Sequence, residues 1–309
     1  MNTKQPCMND QAAPLVSVVI PTYNHAHFLG RALQSVLDQT YKKWEVIVID
    51  NYSTDKTEEV IRNFVDPRIT YLKFHNNGVI AASRNKGIRA AKGEWIAFLD
   101  SDDWWTIDKL QACFDCINDQ VDFIYHKLEN VSDQPRLLRR KIARSWQVKS
   151  PVFTDLLLKG NAIANSSVVV RKSLLAQIGG INESAKMIAS EDYNAWLRIA
   201  QLTDRFRFVS MQLGFYQLHK DAISLQKDMS EPVLHAVGEF LNLLSLEQKI
   251  KVEAELKYIK GRFEYLAGNT IYAKKNLLFS FRYGRIFIKI KSIVMLINLY
   301  CSIYKKSDI

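Results

Sequence analysis

Cysteines, signal-type apolar runs and glycine-rich nucleotide motifs are all scarce in this 309-residue sequence, and each scarcity excludes a class of protein. Four cysteines are too few for a disulfide-built scaffold, and Cys113 and Cys116 have no second Cys or His pair at a zinc-binding spacing. We expect reduced thiols, with these two residues facing the core. The first 14 residues contain no apolar run that could serve as a signal peptide, which predicts a cytoplasmic protein.

Two phosphate-binding motifs are also missing. No G-x-G-x-x-G follows the first apolar run, and G-x-x-x-x-G-K-[ST] occurs nowhere in the sequence. A dinucleotide-binding domain and a P-loop enzyme are therefore disfavoured. A nucleotide bound by this chain would have to be held by carboxylates, a metal ion and loop amides.

The composition is that of a packed globular protein, with 48% hydrophobic and 24% charged residues. Its formal net charge of +10 is unevenly distributed, because residues 251–309 hold 12 Lys and Arg against 4 Asp and Glu. These basic residues alternate with Ile, Leu, Phe and Tyr, a pattern that favours an anionic membrane surface over nucleic acid as the partner.

Short β-branched runs alternate with helical stretches through the first hundred residues, which predicts an α/β fold with a mostly parallel sheet. The expected strands are Val16–Ile20, Glu45–Ile49, Ile69–Lys73 and Trp95–Leu99, and the expected helices lie near His27–Asp38, Lys56–Phe64 and Ile80–Ala91. Ligands of such sheets bind beyond the carboxyl ends of the strands, where this sequence places polar and acidic loops.

The rest of the chain divides into a less regular part and a helical part. We expect strands at Ser166–Val170 and about Phe206–Val209, and a helix that begins near Glu191. Beyond Asp228 the pattern is helical to the end, with a break at Gly268-Asn269. The predicted domains are therefore residues 14–225 and a helical, basic region at residues 229–309.

The last predicted helix contains an uncharged stretch of 13 residues, from Ser292 to Tyr304. This stretch is too short to span a bilayer, which takes about 20 helical residues. Arg282, Arg285 and Lys289 share one side of the helix, as in a helix that lies in the membrane interface at the inner face of the cell membrane. A packed terminal helix with a solvated basic side fits the same pattern.

Three carboxylates crowd the end of the fourth predicted strand, at Asp100, Asp102 and Asp103. Such crowding is unfavourable unless a cation neutralises it, and hard oxygen ligands of this kind suit Mg²⁺ or Mn²⁺ together with a substrate diphosphate. The alternative is a solvated acidic turn that caps a helix starting near Thr106.

Two further loops carry residues that are candidates for binding a nucleotide. Asp50 and Asn51, after the second predicted strand, have the groups to hydrogen-bond a base or a ribose, although such a pair is often a helix cap. Arg84, at the start of a helical stretch, presents the fork of donors that a diphosphate requires, although a salt bridge to a nearby acid is an equal alternative.

Three segments, taken in order, resemble the family 2 glycosyltransferases, which have the GT-A fold. Residues 16–57 include IPTYN and VIDNYSTD, residues 83–105 include SRNKG and FLDSDDWW, and residues 190–200 read SEDYNAWLRIA. The resemblance extends over about residues 14–225. It implies an inverting, hexosyltransferase-type enzyme that moves a sugar from a nucleotide diphosphate sugar, expected to be a UDP-sugar. The implied acceptor is a saccharide or a lipid-linked molecule in cell-envelope polysaccharide biosynthesis.

For the donor, the resemblance implies binding residues on several loops of this chain. These are Pro21, Thr22 and Tyr23 in the nucleotide pocket, Asp50 and Asn51 at the base, Arg84 and Asn85 along the ribose and diphosphate, and Asp100 and Asp102 beside them. Many relatives have a second Asp where this chain has Asn51, which leaves the identity of the base open.

The resemblance also implies a metal site and a catalytic base. In the D-x-D type site, Asp102 or Asp103 would bind Mn²⁺ or Mg²⁺ directly, with His219 near the metal or the diphosphate. Asp192, in the acidic motif, would be the general base that accepts the proton of the acceptor hydroxyl. An acid pair that interacts only with the dipole of its own helix is the alternative for Glu191 and Asp192.

Two other functions use similar parts. A sugar-phosphate nucleotidyltransferase shares an α/β core, but normally has a glycine-rich loop with Lys or Arg where this chain has Pro21 to Asn24. A non-catalytic module that binds sugar nucleotides needs no base. The presence of Asp102, Asp103 and Asp192 together argues against that module.

Overall fold

A computed structural model of the protein describes residues 13–134, 141–220 and 228–307, without the side chains of 302–307. Its strands form one eight-stranded sheet with the order β3-β2-β1-β4-β7-β6-β8-β5. The strands are β1 (Val16–Thr22), β2 (Trp44–Asp50), β3 (Ile69–Lys73), β4 (Trp95–Phe98), β5 (Trp104–Trp105), β6 (Phe123–Val131), β7 (Val169–Arg171) and β8 (Phe206–Gln217).

Helices cover both faces of this sheet and form the C-terminal part of the chain. They are α1 (Ala26–Leu37), α2 (Thr57–Arg62), α3 (Ile80–Ala90), α4 (Lys109–Phe114), α5 (Val152–Lys159), α6 (Lys172–Gln177), α7 (Glu191–Ala200), α8 (Ser230–Gly238), α9 (Leu246–Leu266), α10 (Thr270–Tyr283) and α11 (Ile286–Ser307). Short 3₁₀ turns lie at Asn165–Ser167, Ala185–Met187 and Leu241–Leu243.

The N-terminal half of the sheet is parallel, as the alternation of strands and helices predicts. β1 pairs with β2 and β4, and β2 pairs with β3, all in parallel. Every residue of β1 and β2 is buried, because helices cover these strands on both faces. The carboxyl ends of β1, β2 and β4 therefore open onto the same edge of the sheet.

The other half of the sheet is mixed. β7 runs antiparallel to both β4 and β6, and β5 runs antiparallel to β8, whereas β6 and β8 are parallel. The strand expected at Ser166–Val170 begins at Val169, because a 3₁₀ turn precedes it. There the Ser166 hydroxyl accepts the Asp100 N–H, and the Ser166 carbonyl accepts the Trp105 indole N–H. β8 extends to Gln217, well beyond the expected Val209.

Two hydrophobic cores lie on opposite faces of the sheet. One core is beneath α1 and α4, and includes the fully buried Leu33 and Cys113. The other is beneath α3, α5 and α7, and includes Trp196. Cys113 faces the core as expected and Cys116 packs partly buried beside it; no group of Cys, His, Asp or Glu within the described ranges forms a ready-made metal cluster.

The C-terminal helices begin as part of the second core and continue as a bundle. Val237 and Phe240 near the end of α8, with Val252 of α9, pack into the core beneath α7. Further on, α10 and α11 meet through a small apolar cluster that includes Leu277 and Leu296. The predicted break at Gly268-Asn269 separates α9 from α10, where Gly268 has a positive φ of 80°.

Across the described helices, none combines the length and apolarity that a transmembrane segment needs.

Candidate active site

A cavity of about 500 Å³ lies at the carboxyl edge of β1 and β4. This volume is within the range of small-molecule binding sites. The cavity brings together loops from opposite ends of the sequence. Of the residues predicted for the site, Pro21, Arg84, Asp100, Asp102, Asp192 and His219 line this cavity.

Arg84 is held by two acids at the base of the cavity. Its Nη2 donates to Asp100 Oδ1 at 2.8 Å, and its Nη1 donates to Glu191 Oε1 at 2.5 Å. Burial alone would lower the pKa of Arg84, but the carboxylates of Asp100 and Glu191 raise it above its ordinary value. Arg84 is thus a permanent cation that ties the end of β4 to the start of α7. The salt bridges to nearby acids that were the alternative expected for Arg84 are therefore present, and they are buried in the lining of the cavity.

Asp102 and His219 form a pair of potential metal ligands on the cavity wall. Asp102 Oδ2 and His219 Nε2 are 3.0 Å apart, and the two side chains come from β4–β5 and the loop after β8. A carboxylate oxygen with an imidazole nitrogen fits Mn²⁺, and the carboxylate alone fits Mg²⁺. Because no cluster of three such ligands occurs in the residues that the structure covers, a substrate diphosphate would have to complete the coordination.

Asp103 is placed differently from Asp102. It is 1% exposed, and its Oδ1 accepts the Gln217 N–H at 2.9 Å, which ties the acidic loop to β8. Its Oδ2 has no hydrogen-bond partner among the described atoms. Burial, followed by the charges of Asp102 and Asp100, raises the pKa of Asp103 well above its ordinary value. Of the two acids predicted to touch the metal, only Asp102 lines the cavity.

Asp192 lies in the first turn of α7, where it is partly buried and lines the cavity. Its Oδ1 accepts the Tyr193 N–H at 2.7 Å, and its Oδ2 is 3.5 Å from Asn161 Nδ2. Burial and then the charge of Glu191 raise the pKa of Asp192 to about 7. A carboxylate with this pKa can accept a proton at neutral pH and still be a useful base.

The loop after β2 is organised by its own hydrogen bonds. Asp50 Oδ1 accepts from the backbone N–H and hydroxyl of Ser53, and Asp50 Oδ2 accepts from the Tyr71 hydroxyl at 2.6 Å. Asn51 Oδ1 accepts the Asn76 N–H at 3.0 Å. Both residues lie at the same sheet edge as the cavity without lining it. Their contact with a base stays a prediction.

Exposed aromatic rings flank that loop. Tyr23 is 52% exposed, while the neighbouring Thr22 is buried. Tyr52 has a positive φ of 55° and stacks on His75 with 3.9 Å between ring centroids. These rings offer stacking surfaces to a base, and the role of Thr22 and Tyr23 in the nucleotide pocket also stays a prediction.

Asn85 contacts protein groups away from the cavity. Its Nδ2 donates to the Ile181 carbonyl and to Glu183 Oε1, and its Oδ1 accepts the Ile181 N–H at 2.9 Å. A Cβ on Gly180, which has a φ of 85°, would lie 2.8 Å from Asn85 Oδ1. Asn85 therefore fixes the turn before the acidic motif, and its predicted place along the donor is still untested.

Some site residues were missed by the sequence interpretation. Asn165 Nδ2 donates at 2.9 Å to Asp100 Oδ1, the oxygen that also accepts from Arg84. His25 Nδ1 lies 2.8 Å from the hydroxyl of Ser101, between the acids of the D-x-D type motif. The only sequence signal was position, since Asn165 precedes a predicted strand and His25 follows the first strand.

The sequence matches known proteins over this same region. A family model described as "Glycosyl transferase family 2" matches residues 17–174, which hold β1 to β7 and the acidic loop. The chain belongs to this family. It is therefore a glycosyltransferase, and the fold expected from the resemblance can be compared with solved structures.

Two relatives are named as glycosyltransferases of cell-envelope glycans. The chain is 32% identical over 218 residues to the Escherichia coli protein WfgD, named UDP-Glc:alpha-D-GlcNAc-diphosphoundecaprenol beta-1,3-glucosyltransferase, covering 69% of this chain and 81% of that protein. It is 42% identical over 100 residues to the putative teichuronic acid biosynthesis glycosyltransferase TuaG of Bacillus subtilis, covering 32% and 40% of the two chains.

Two solved structures confirm the GT-A fold of this glycosyltransferase. S. aureus TarS 1–349 in complex with UDP-GlcNAc has a TM-score of 0.65 at 18% identity, covering 93% of this chain and 89% of that one. The mannosyltransferase PcManGT from Pyrobaculum calidifontis, in complex with GDP-Man and Mn²⁺, has a TM-score of 0.63 at 18% identity, covering 98% and 85%. The helical C-terminal region is present as expected.

Proposed function

We propose that this glycosyltransferase is a metal-dependent, inverting enzyme that moves a sugar from a UDP-sugar to a hydroxyl of a saccharide or lipid-linked acceptor. The observation that carries the proposal is the pairing, in one cavity, of Asp192 with the Asp102–His219 pair. Asp192 has a pKa of about 7 and suits a base, and the Asp102–His219 pair suits a cation.

The names of similar proteins support the substrate classes. WfgD uses UDP-Glc and a diphosphoundecaprenol-linked acceptor, and TarS has been solved with UDP-GlcNAc. Both donors carry UDP. A UDP-sugar and an acceptor of the cell envelope are therefore the substrates that we propose here, with the sugar and the linkage set by side chains that vary between such enzymes.

In the proposed reaction, the carboxylate of Asp192 accepts the proton of the acceptor hydroxyl. The hydroxyl oxygen attacks the anomeric carbon of the donor sugar from the face opposite the diphosphate, which inverts the configuration. The bond between that carbon and the diphosphate oxygen breaks, and UDP leaves with the electron pair. Glu191 keeps Arg84 and α7 in place during this step, so that the base stays aimed into the cavity.

The residues present fit a divalent cation at the diphosphate side. Asp102 and His219 would hold it, with Asp103 keeping the loop attached to β8. When bound, such an ion supplies positive charge that stabilises the departing diphosphate. The bound Mn²⁺ of PcManGT, which has the same fold, is consistent with this assignment.

Substitution of the base tests the proposal. Asp192→Asn should lower kcat by about 10²- to 10⁴-fold, because general base catalysis contributes that much, while the Kd for UDP with Mn²⁺ stays the same. Glu253→Gln, an exposed acid of α9, is the matched control and should leave both constants unchanged. Transfer at the native rate by the Asp192 variant would show that the base is assigned to the wrong residue.

We also propose that the protein associates with an anionic membrane surface. Helix α11 buries one stripe, including Ile288 and Leu296, against the bundle. A second apolar stripe faces solvent at Ile286, Phe287, Ile290, Val294 and Ile297, each at least 51% exposed. Basic residues accompany it in a C-terminal segment rich in Lys and Arg. This combination is typical of helices that lie in the membrane interface.

A further inference from the structure

A second cavity, of about 430 Å³, adjoins the catalytic cavity on the side of the C-terminal helices. Ala143 and Arg144 line both cavities, so the two meet at these residues. The second cavity also has two aromatic walls, Trp146 and Phe287, and a second guanidinium, that of Arg285. Nothing in the proposed transfer step uses this space.

Two guanidinium groups converge in this second cavity. Arg144 Nη2 and Arg285 Nη2 both donate to the carbonyl oxygen of Lys159, at 2.5 and 3.1 Å. Their shared acceptor is the end of α5, where the chain turns at Gly160 with a φ of 81°. Two like charges held this close favour an anion between them.

The carboxylate of Glu255 neutralises part of this positive charge. Glu255 Oε1 accepts from Arg285 at 2.5 and 2.9 Å. Arg144 and Lys291 also interact electrostatically with the same carboxylate. Among the described side chains at this place, cations therefore outnumber carboxylates, which gives the second cavity a positive potential.

Phe287 connects this cavity to the exposed apolar stripe of α11. It lines the cavity and is 51% exposed, next to Ile286 and one turn from Ile290. Three environments therefore follow one another along the surface of the protein. The apolar stripe comes first, then the Arg144–Arg285 cavity, and then the catalytic cavity with Asp192.

We propose that the Arg144–Arg285 cavity binds the diphosphate of an acceptor in which a diphosphate joins a lipid chain to the accepting sugar. The inference rests on the proposed function and names the acceptor class for the same catalytic site. Hydrocarbon, diphosphate and sugar follow one another in such a molecule in the same order as the three environments. A diphosphate diester carries two negative charges and suits a site that holds two guanidinium groups.

The test is a calorimetric titration of the full chain with farnesyl diphosphate, while UDP and Mn²⁺ saturate the donor site. Arg144→Gln and Arg285→Gln should each weaken farnesyl diphosphate binding about tenfold or more, since each removes charge-assisted hydrogen bonds. Farnesol should bind equally to all variants, because it lacks the diphosphate. Arg89→Gln, which removes an exposed charge of α3 remote from both cavities, is the matched control.

The outcomes separate this inference from the proposed function. Failure of the unaltered protein to bind UDP with Mn²⁺ would contradict the proposed function. Normal UDP binding, with farnesyl diphosphate bound as tightly by Arg144→Gln as by the unaltered protein, would overturn the acceptor site alone. Inorganic diphosphate that binds as tightly as farnesyl diphosphate would overturn the lipid-linked acceptor and leave a plain anion site.

Arg144→Gln is the decisive variant because Arg144 is exposed, whereas Arg285 is paired with the buried Glu255. Arg285→Lys keeps the charge while removing the planar fork, and it should give a smaller loss of affinity than Arg285→Gln. Binding of farnesyl diphosphate by Arg285→Lys as tight as by the unaltered protein, at unchanged stability to urea, would contradict binding through the guanidinium fork.

Discussion

At the scale of single residues, the two acids that begin α7, Glu191 and Asp192, have different surroundings. Both acids line the cavity, but within the described residues only Glu191 is paired with Arg84. The interpretation in which both acids act only on the helix dipole explains neither of these contacts. The raised pKa of Asp192 has a direct kinetic consequence.

We expect kcat/KM to rise with pH through about 7, because a protonated Asp192 cannot accept the proton of the acceptor. Glu191→Gln should move this limb to lower pH, since the charge of Glu191 raises the pKa of Asp192. The measurement is a pH profile of UDP release under limiting acceptor. A limb that stays at the same pH in the variant would contradict the coupling of the two acids.

Substitution of Asn85 distinguishes a structural role of this side chain from a role in donor binding. Asn85→Ala should lower the free energy of unfolding by about 2 kcal/mol, because it leaves the buried Ile181 backbone groups without their side-chain partner. Urea denaturation measures this loss, and the Kd for UDP with Mn²⁺ should hardly change. A large loss of UDP affinity at unchanged stability would instead favour the predicted contact with the donor.

The motifs predicted acids and an arginine that line the cavity, but not the groups that hold them. Asp102 was a candidate because crowded carboxylates after a buried strand are visible in the sequence, whereas Asp192 was predicted from the family resemblance. Asn165 and His25 could not be predicted, because their contacts with Asp100 and Ser101 join residues 65 and 76 positions apart. Such contacts depend on the completed fold.

At the scale of the elements, α4 contains a buried cation without an evident role. Lys109 is 0% exposed, and its Nζ lies 3.6 Å from the centroid of the Trp105 ring. That nitrogen has no hydrogen-bond partner within the described part of the chain. Burial lowers the pKa of Lys109 from 10.5 to about 8.

Lys109→Met should therefore raise the free energy of unfolding at pH 7 by about 2 kcal/mol, since the folded state then no longer buries a charge. The folded-state pKa of Lys109 lies below its unfolded value, so this penalty is complete below about pH 8 and disappears toward pH 10.5. The gain should shrink accordingly in urea denaturation at higher pH. An equal gain at pH 7 and pH 10 would contradict this account.

The strands β1 to β4 were predicted closely, β7 and β8 were predicted with other bounds, and β5 and β6 were missed. β1 to β4 are apolar runs with clear turns between them, and the structure confirms each within a few residues. β6 was missed, because it pairs with β8 through register shifts near Lys127 and depends on strands distant in sequence. Long-range pairing of this kind leaves little local pattern to detect.

At the scale of the whole molecule, α11 has two apolar faces, and only one of them is used for packing. Ile290→Ser together with Ile297→Ser should weaken binding to liposomes containing anionic lipid at least about tenfold, because both side chains are more than half exposed. Sedimentation with vesicles measures the binding, which should also fall as salt increases. Val65→Ser, at a 96% exposed position after α2, is the control.

Vesicle binding by the double variant equal to that of the unaltered protein would leave α11 as a packed terminal helix. The sequence alone left both interpretations open, because a stripe of apolar residues does not reveal which face meets the bundle. The structure separates the buried Ile288, Ser292 and Leu296 from the exposed stripe. The division into domains at residues 14–225 and 229–309 stays a prediction, and α8 and α9 pack into the core beneath α7.

Because the two cavities meet at Ala143 and Arg144, the distance between them also limits the length of the product. If the acceptor is anchored at Arg285 and its hydroxyl is delivered to Asp192, a chain lengthened by one sugar carries its new terminal hydroxyl past the base. We therefore expect one addition per acceptor, with release before any second round, and mass spectrometry of the products should show a single increment. Polymer growth on this acceptor would then fall to successive enzymes, each with its own spacing.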